Sequence, residues 1–168
     1  MPNPIYGWFE GQKQGKMEGW GSWPGEDDQT GREGASLIQQ FEHEITIPRD
    51  AQSGLASGRR VHHPVRIVKR IDKASPKLLQ AECQGERFPK VEFKWYRIDP
   101  TGAGGQVHYF TTMLEEAIIV GMKTWFPITA DSTKNDYSHF EDVLFTYRKI
   151  VWRWEDGGIE TEDDWKSG

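Results

Sequence analysis

A single cysteine, no long apolar run and no excess of basic charge exclude several classes of protein for this 168-residue chain at once. With Cys83 alone, no intrachain disulfide can form, which suits synthesis in a reducing cytoplasm. No stretch approaches the roughly 20 apolar residues that a membrane-crossing helix needs. The opening residues 1–8 hold neither a basic n-region nor an apolar h-region, so no secretory signal peptide is read there. A net charge of -5 argues against a nucleic-acid partner, which would want a basic face.

Catalytic signatures are absent as well. There is no G-x-S-x-G elbow and no G-x-x-x-x-G-K phosphate loop. The histidines are His43, His62, His63, His108 and His139, and no two stand at the i, i+2 spacing that puts metal ligands on one face of a strand. His43 falls on an apolar-facing row and reads as a satisfied, partly buried histidine. Cys83 falls at the C-terminal end of the one helix expected, where the dipole disfavours a thiolate, and reads as a small hydrophobe. No two carboxylates stand out as an acid–base pair. The chain is therefore read as a non-enzyme with no cofactor and no metal.

What the chain does have is aromatics in alternating runs: eight Trp, eight Phe and five Tyr, residues that favour strands and fill thin β cores. Residues 5–9 read as a short strand, and 7–34 as a Gly-rich loop carrying Trp20 and Trp23, with one short strand near 16–20. From Leu37 the period is two, with Leu37, Gln39, Phe41, His43, Ile45 and Ile47 on the apolar face and Ile38 on the polar one. A polar loop over 48–64 follows, long enough to suggest a function. Strands are predicted over 65–71, 90–98 and 106–114, the last two joined by turn chemistry at 99–105, with strand continuing over 116–124. A polar loop spans 125–139. In 140–154 the apolar positions change from odd (Val143, Phe145, Tyr147) to even (Ile150, Trp152, Trp154), which predicts a β-bulge near Arg148–Lys149. The tail over 155–168 is acidic and reads as loosely held, with Trp165 as its pin.

One helix interrupts this pattern, at about 76–84. Asp72, Ser75 and Pro76 form its start, with Ser75 as N-cap, Pro76 at the first helical position and Gly85 as a left-handed stop. Leu78, Leu79 and Cys83 give it one apolar stripe, expected to pack on the outside of the sheets. The fold class is mainly β: two antiparallel sheets forming a small β-barrel with one flanking helix, as a single domain over 1–168 with the acidic tail at 155–168.

In order and spacing, several segments resemble the haemolysin-coregulated protein family, the tube subunits of type VI secretion. They are Gly31-Arg32-Glu33-Gly34 with Phe41-Glu42-His43 and Ile45-Thr46-Ile47-Pro48, then Gly58-Arg59-Arg60-Val61-His62-His63-Pro64 and Ile71-Asp72-Lys73-Ala74-Ser75-Pro76 with Leu78. Glu92-Phe93-Lys94-Trp95-Tyr96, Tyr109-Phe110 with Leu114-Glu115, Tyr147-Arg148-Lys149-Ile150 with Trp152, and Trp154-Glu155-Asp156-Gly157 with the late Asp164-Trp165 complete the series. The segment over 11–34, rich in Gly and Trp, departs from it. The resemblance implies hexameric rings of identical subunits, stacked into a hollow tube. Its further partners would be a contractile sheath with its baseplate, a spike protein trimer at the tip, and effector proteins in the lumen. It also implies synthesis in the cytoplasm and export through the apparatus without a cleaved signal peptide, and no membrane insertion. The loop over 48–64 would then reach between rings, with Arg49, Asp50, Arg59, Arg60 and His62 as its contact residues. A competing expectation is a carbohydrate- or ligand-binding β-sandwich, in which exposed Trp20, Trp23 and Trp125 stack on sugar faces.

Overall fold

The computed structural model describes residues 3–23, 31–128, 130, 133 and 138–165. The middle of the Gly-rich segment (24–30), most of the second half of the 125–139 loop and the last three residues of the tail lie outside the described residues. The elements in order are β1 (Ile5–Gly11), β2 (Gly15–Met17), β3 (Ser36–Glu42), β4 (Ile45–Thr46), β5 (Val61–His62), β6 (Val65–Arg70), α1 (Ser75–Gln84), β7 (Arg87–Ile98), β8 (Gln106–Trp125), β9 (Phe140–Thr146), β10 (Lys149–Trp154) and β11 (Ile159–Asp164).

The expected barrel is there, built from one continuous antiparallel sheet whose two halves curl onto each other. The strand order is β11-β10-β8-β7-β1-β3-β6-β9, and β9 pairs back onto β8 to close a six-stranded barrel. The long β8 makes closure possible, because Phe110 to Glu115 pair with β10 while Ile118 to Trp125 pair with β9. Glu116, at the changeover, has φ 52, the one non-glycine residue with positive φ among the described residues. Such a conformation costs energy and bends the strand. Closure gives each of the six barrel strands a neighbour on both sides, so the open edges among the described residues are those of β2, β11 and the β4–β5 pair.

The core is aromatic, as the composition implies. Phe9, Phe88, Phe93 and Phe145 are buried, with Phe9 and Phe145 stacked at 5.7 Å between ring centres. The helix seals the core through Ala74, Leu78 and Ala81 rather than through the expected Leu78, Leu79 and Cys83. A spacing of 3.6 residues per turn puts positions 74, 78 and 81 on one face, so Leu79 and Cys83 turn outward and both are exposed. Burying Leu78 contributes roughly 1.5–3 kcal/mol.

Four expectations shift in register or extent. In β3 the pairing with β6 slips between Ile38 and Gln40, so Ile38 faces the core and Leu37 packs with Tyr6 and Tyr96 on the other side. The bulge expected at Arg148–Lys149 is a full break at Tyr147–Arg148, which separates β9 from β10 and lets each pair with a different half of β8. The tail is not loose: β11 pairs along the whole of β10. Trp165 does pin its end, its indole N–H donating to the Tyr147 carbonyl. The helix starts one residue early, so Ala74 is the N-cap without a side-chain cap and Ser75 and Pro76 occupy the first two helical positions. Gly85 ends it with φ 64, as expected.

An exposed arm and two polar clusters

The long loop is an ordered arm. The chain leaves the barrel after β3, and β4 pairs with β5 through Ile45 with His62 and Thr46 with Val61. Farther out, Arg49 and Ala56 form an isolated bridge. At the tip, Asp50 Oδ1 accepts the N–H groups of Gln52 (2.7 Å) and Ser53 (3.3 Å), and Gly54 takes the left-handed φ of 74 that this turn needs. Backbone bonds hold the tip, with Asp50 N–H donating to Leu55 O and Ser57 N–H to Pro48 O, each at 2.8 Å. Its side chains bury almost nothing: Leu55 is 70% and Ile47 59% exposed, and Ile45 and Val61 are exposed too. Arg49, Asp50 and Arg59 are all exposed on it.

Arg60 and His62 sit at the arm's base and turn inward. Arg60 makes a two-bond pair with Asp163 of β11, Nε at 2.6 Å and one terminal nitrogen at 3.0 Å, and that nitrogen also donates to the Asp164 carbonyl. The bond from Arg60 holds the Asp163 carboxyl below its usual range, with His62 adding to it against some loss of solvation. His62 is buried, its Nε2 2.6 Å from Asp163 Oδ2 and its Nδ1 2.6 Å from the Tyr147 hydroxyl. The same hydroxyl lies 2.8 Å from His43 Nε2. Burial pushes the Tyr147 phenol up, as does the Asp163 charge, so it stays protonated. His43 is half-buried, as expected, and is held below the ordinary histidine value first by burial and then by His62 and His63.

A second cluster stands at the far end of β6. Lys69 is fully buried, its Nζ 2.7 Å from Asp72 Oδ1 and 2.6 Å from Glu141 Oε1. Ser75 is the hub rather than a cap. Its hydroxyl donates to Glu141 Oε1 at 2.6 Å and accepts the Asp72 N–H at 3.0 Å. Asp72 Oδ1 in turn accepts the Ala74 N–H at 3.0 Å, which starts the helix. The chain at Gly19 passes so close that a Cβ there would sit 2.3 Å from both Asp72 Oδ2 and Ser36 Oγ. Only glycine fits that approach.

Sequence reasoning found Asp72, Ser75, Pro76, Arg60 and His62 but missed Lys69, Glu141, Tyr147 and Asp163 as their partners. A signal existed for two of them. Lys69 is in phase with Val65 and Ile67, and Glu141 with Val143 and Phe145, so each charge continues an inward row. The three tryptophans considered for sugar stacking are engaged within the chain. Trp20 packs edge-on against Tyr6, Trp23 donates to the Ile71 carbonyl, and Trp125 donates to Asp142 Oδ1.

A closed antiparallel barrel, plugged by one helix and carrying an ordered arm that its own core does not cover, is the class this structure defines. The family described as "Type VI secretion system effector, Hcp" matches residues 12–154. The chain belongs to this Hcp family of type VI secretion. It is similar to the major exported protein of Pseudomonas aeruginosa, 47% identical over 171 residues that cover 99% of this chain and 98% of that one. Among solved structures, a crystal structure of an Hcp protein has a TM-score of 0.89 at 35% identity, covering 99% of this chain and 100% of that one. The secreted protein Hcp3 of Pseudomonas aeruginosa has a TM-score of 0.76 at 42% identity, covering 98% and 99%.

Proposed function

We propose that the whole chain is a non-catalytic tube subunit, six copies of which close into a ring, with rings stacking into a hollow tube. The observation that carries this reading is the arm: an ordered projection with Ile47 and Leu55 in solvent gains stability only by covering those side chains with another surface. A ring of head-to-tail contacts is the closed form of such an assembly. Arg49, Asp50 and Arg59 are then the outward contacts to the next ring, while Arg60 and His62 set the arm's direction from its base. The acidic tail serves as that base, through Asp163.

In this reading the subunit is made in the cytoplasm and leaves through the type VI apparatus without a cleaved signal peptide. The names of the two Pseudomonas aeruginosa relatives, one exported and one secreted, support export. Sheath, baseplate and spike trimer would contact the tube from outside and from its ends, and effector proteins would occupy the lumen. Light scattering on the purified protein tests the core of the proposal. The expected mass is six times the 19.4 kDa of one chain. A strictly monomeric sample at high concentration would overturn it.

A further inference from the structure

Because the arm's side chains bury so little, its direction is fixed at its base. Tyr147 stands there between two imidazoles, 2.6 Å from His62 Nδ1 and 2.8 Å from His43 Nε2. His43 lies where the chain enters the arm, and His62 lies in β5 where it returns. The Trp165 ring stacks on His62 at 5.6 Å, and His62 Nε2 meets Asp163. The Tyr147 hydroxyl thus ties both strands of the arm to the barrel, at the break between β9 and β10.

A phenol has one proton to give. It donates to one ring and accepts from the other, so one of the two facing nitrogens must be bare. When both rings are protonated, two N–H groups converge on one oxygen and the phenol's own proton loses its acceptor. The two positive rings then stand 6.5 Å apart, centre to centre.

We propose that this bridge is an acid-operated latch: two protonated imidazoles cannot share Tyr147, so acid releases the arm's base while the barrel stays folded. The inference rests on the arm being the joint between rings and names how that joint is regulated. The charged groups around the bridge fall on two sides. Glu42, Glu44, His63 and Arg66 line the open groove beside His43. Arg60, Asp163, Asp164 and Arg148 stand on the tail side, where Asp163 is already held by Arg60 and Asp164 by Arg148. When His62 donates from both nitrogens, to Asp163 and to Tyr147, the phenol's proton needs a bare His43 Nε2; the closed arm then favours neutral His43 and the released arm favours the charged ring. Attachment is therefore full above pH 6.5, the ordinary histidine value, and weakens as pH falls below it towards the lowered value of the closed arm.

Hydrogen exchange by mass spectrometry, corrected for the intrinsic pH dependence of exchange, tests this at pH 7.5 and 5.5. The N–H group of His63, which joins the two strands at the arm's base by donating to the Glu44 carbonyl, should exchange up to about tenfold more readily at pH 5.5, the effect of one proton. The tip N–H groups of Asp50 and Ser57, bonded only within the tip, should change less. Amides of β7 should not respond. His43→Gln cannot titrate and should remove the pH dependence. Tyr147→Phe should leave the arm equally loose at both pH values. Either an unchanged arm in the wild type at pH 5.5 or an undiminished response in H43Q overturns the latch. Stacking is read separately, by sedimentation at pH 7.5. Rings that never stack would overturn the arm's assigned role, whereas the exchange data alone decide the latch.

Discussion

The two ends of β6 carry polar clusters built on opposite terms. At one end Lys69, Asp72, Ser75 and Glu141 sit among apolar walls, with Lys69 and Glu141 wholly buried. At the other, His43, His62, Tyr147, Asp163 and Arg60 stand at the border between barrel and solvent, and only His62 and Tyr147 are buried. The sealed cluster joins three parts of the barrel: the end of β6, the start of the helix and the start of β9. Its charges have no water to turn to, so each depends on the others. The border cluster joins the arm to β11, and within it the half-buried His43 is held below the ordinary histidine value. One is a lock that defines the fold; the other ties an exposed arm to the barrel.

The comparison breaks most directly at Lys69. Lys69→Met removes one cation and leaves the Asp72 and Glu141 carboxylates facing each other in the interior. We expect a loss of about 3–5 kcal/mol, read from the guanidinium unfolding midpoint. A loss below about 1 kcal/mol would mean that the cluster is not a lock. The helix it starts comes next. Leu78→Ala should cost about 2–5 kcal/mol, because Leu78 is fully buried in the core, whereas Leu79→Ala should stay within about 0.5 kcal/mol. Equal effects at the two positions would return the stripe to its sequence-based assignment.

The helix shows why some of the fold was legible and some was not. Its existence and its glycine stop follow from local chemistry at Pro76 and Gly85, which acts over a few residues. Its start was misread because Ser75 has a distant partner, Glu141, that outcompetes the local cap. The β3 slip is of the same kind: the alternation from Leu37 onward is regular, and only the pairing with β6 reveals that Ile38 faces inward. Asp163 looked like one acid of a solvated tail because its partner Arg60 is 103 residues away in sequence. The long hairpin and the parity change after Tyr147 were legible, since period and turn residues carry them without help from elsewhere.

Smaller effects sharpen the border cluster. Its response to acid should come in two stages. His43 acts first, below pH 6.5. Asp163, held low by Arg60, contributes fully above its ordinary value of 3.8 and fades only as pH falls through its lower folded value. Asp163→Asn should therefore abolish the second stage in arm exchange and leave the first in place. A variant that lost both stages together would show that His62 and Arg60 act as one unit with His43.

The smallest effect on folding should come from the arm's tip. Deleting residues 53–57 removes the turn at Gly54 and the exposed Leu55, and touches neither polar cluster. The tip's internal bonds, from Asp50 to Leu55 and from Ser57 to Pro48, tie it only to itself. The melting temperature should therefore barely move, and ring mass by light scattering should be unchanged. Stacking should weaken, because Leu55 and the spacing of Arg49 from Arg59 are lost together. Negative-stain images should show fewer and shorter tubes. Undiminished tubes would mean that the rings meet through another surface, and the arm's exposure would then need a different partner.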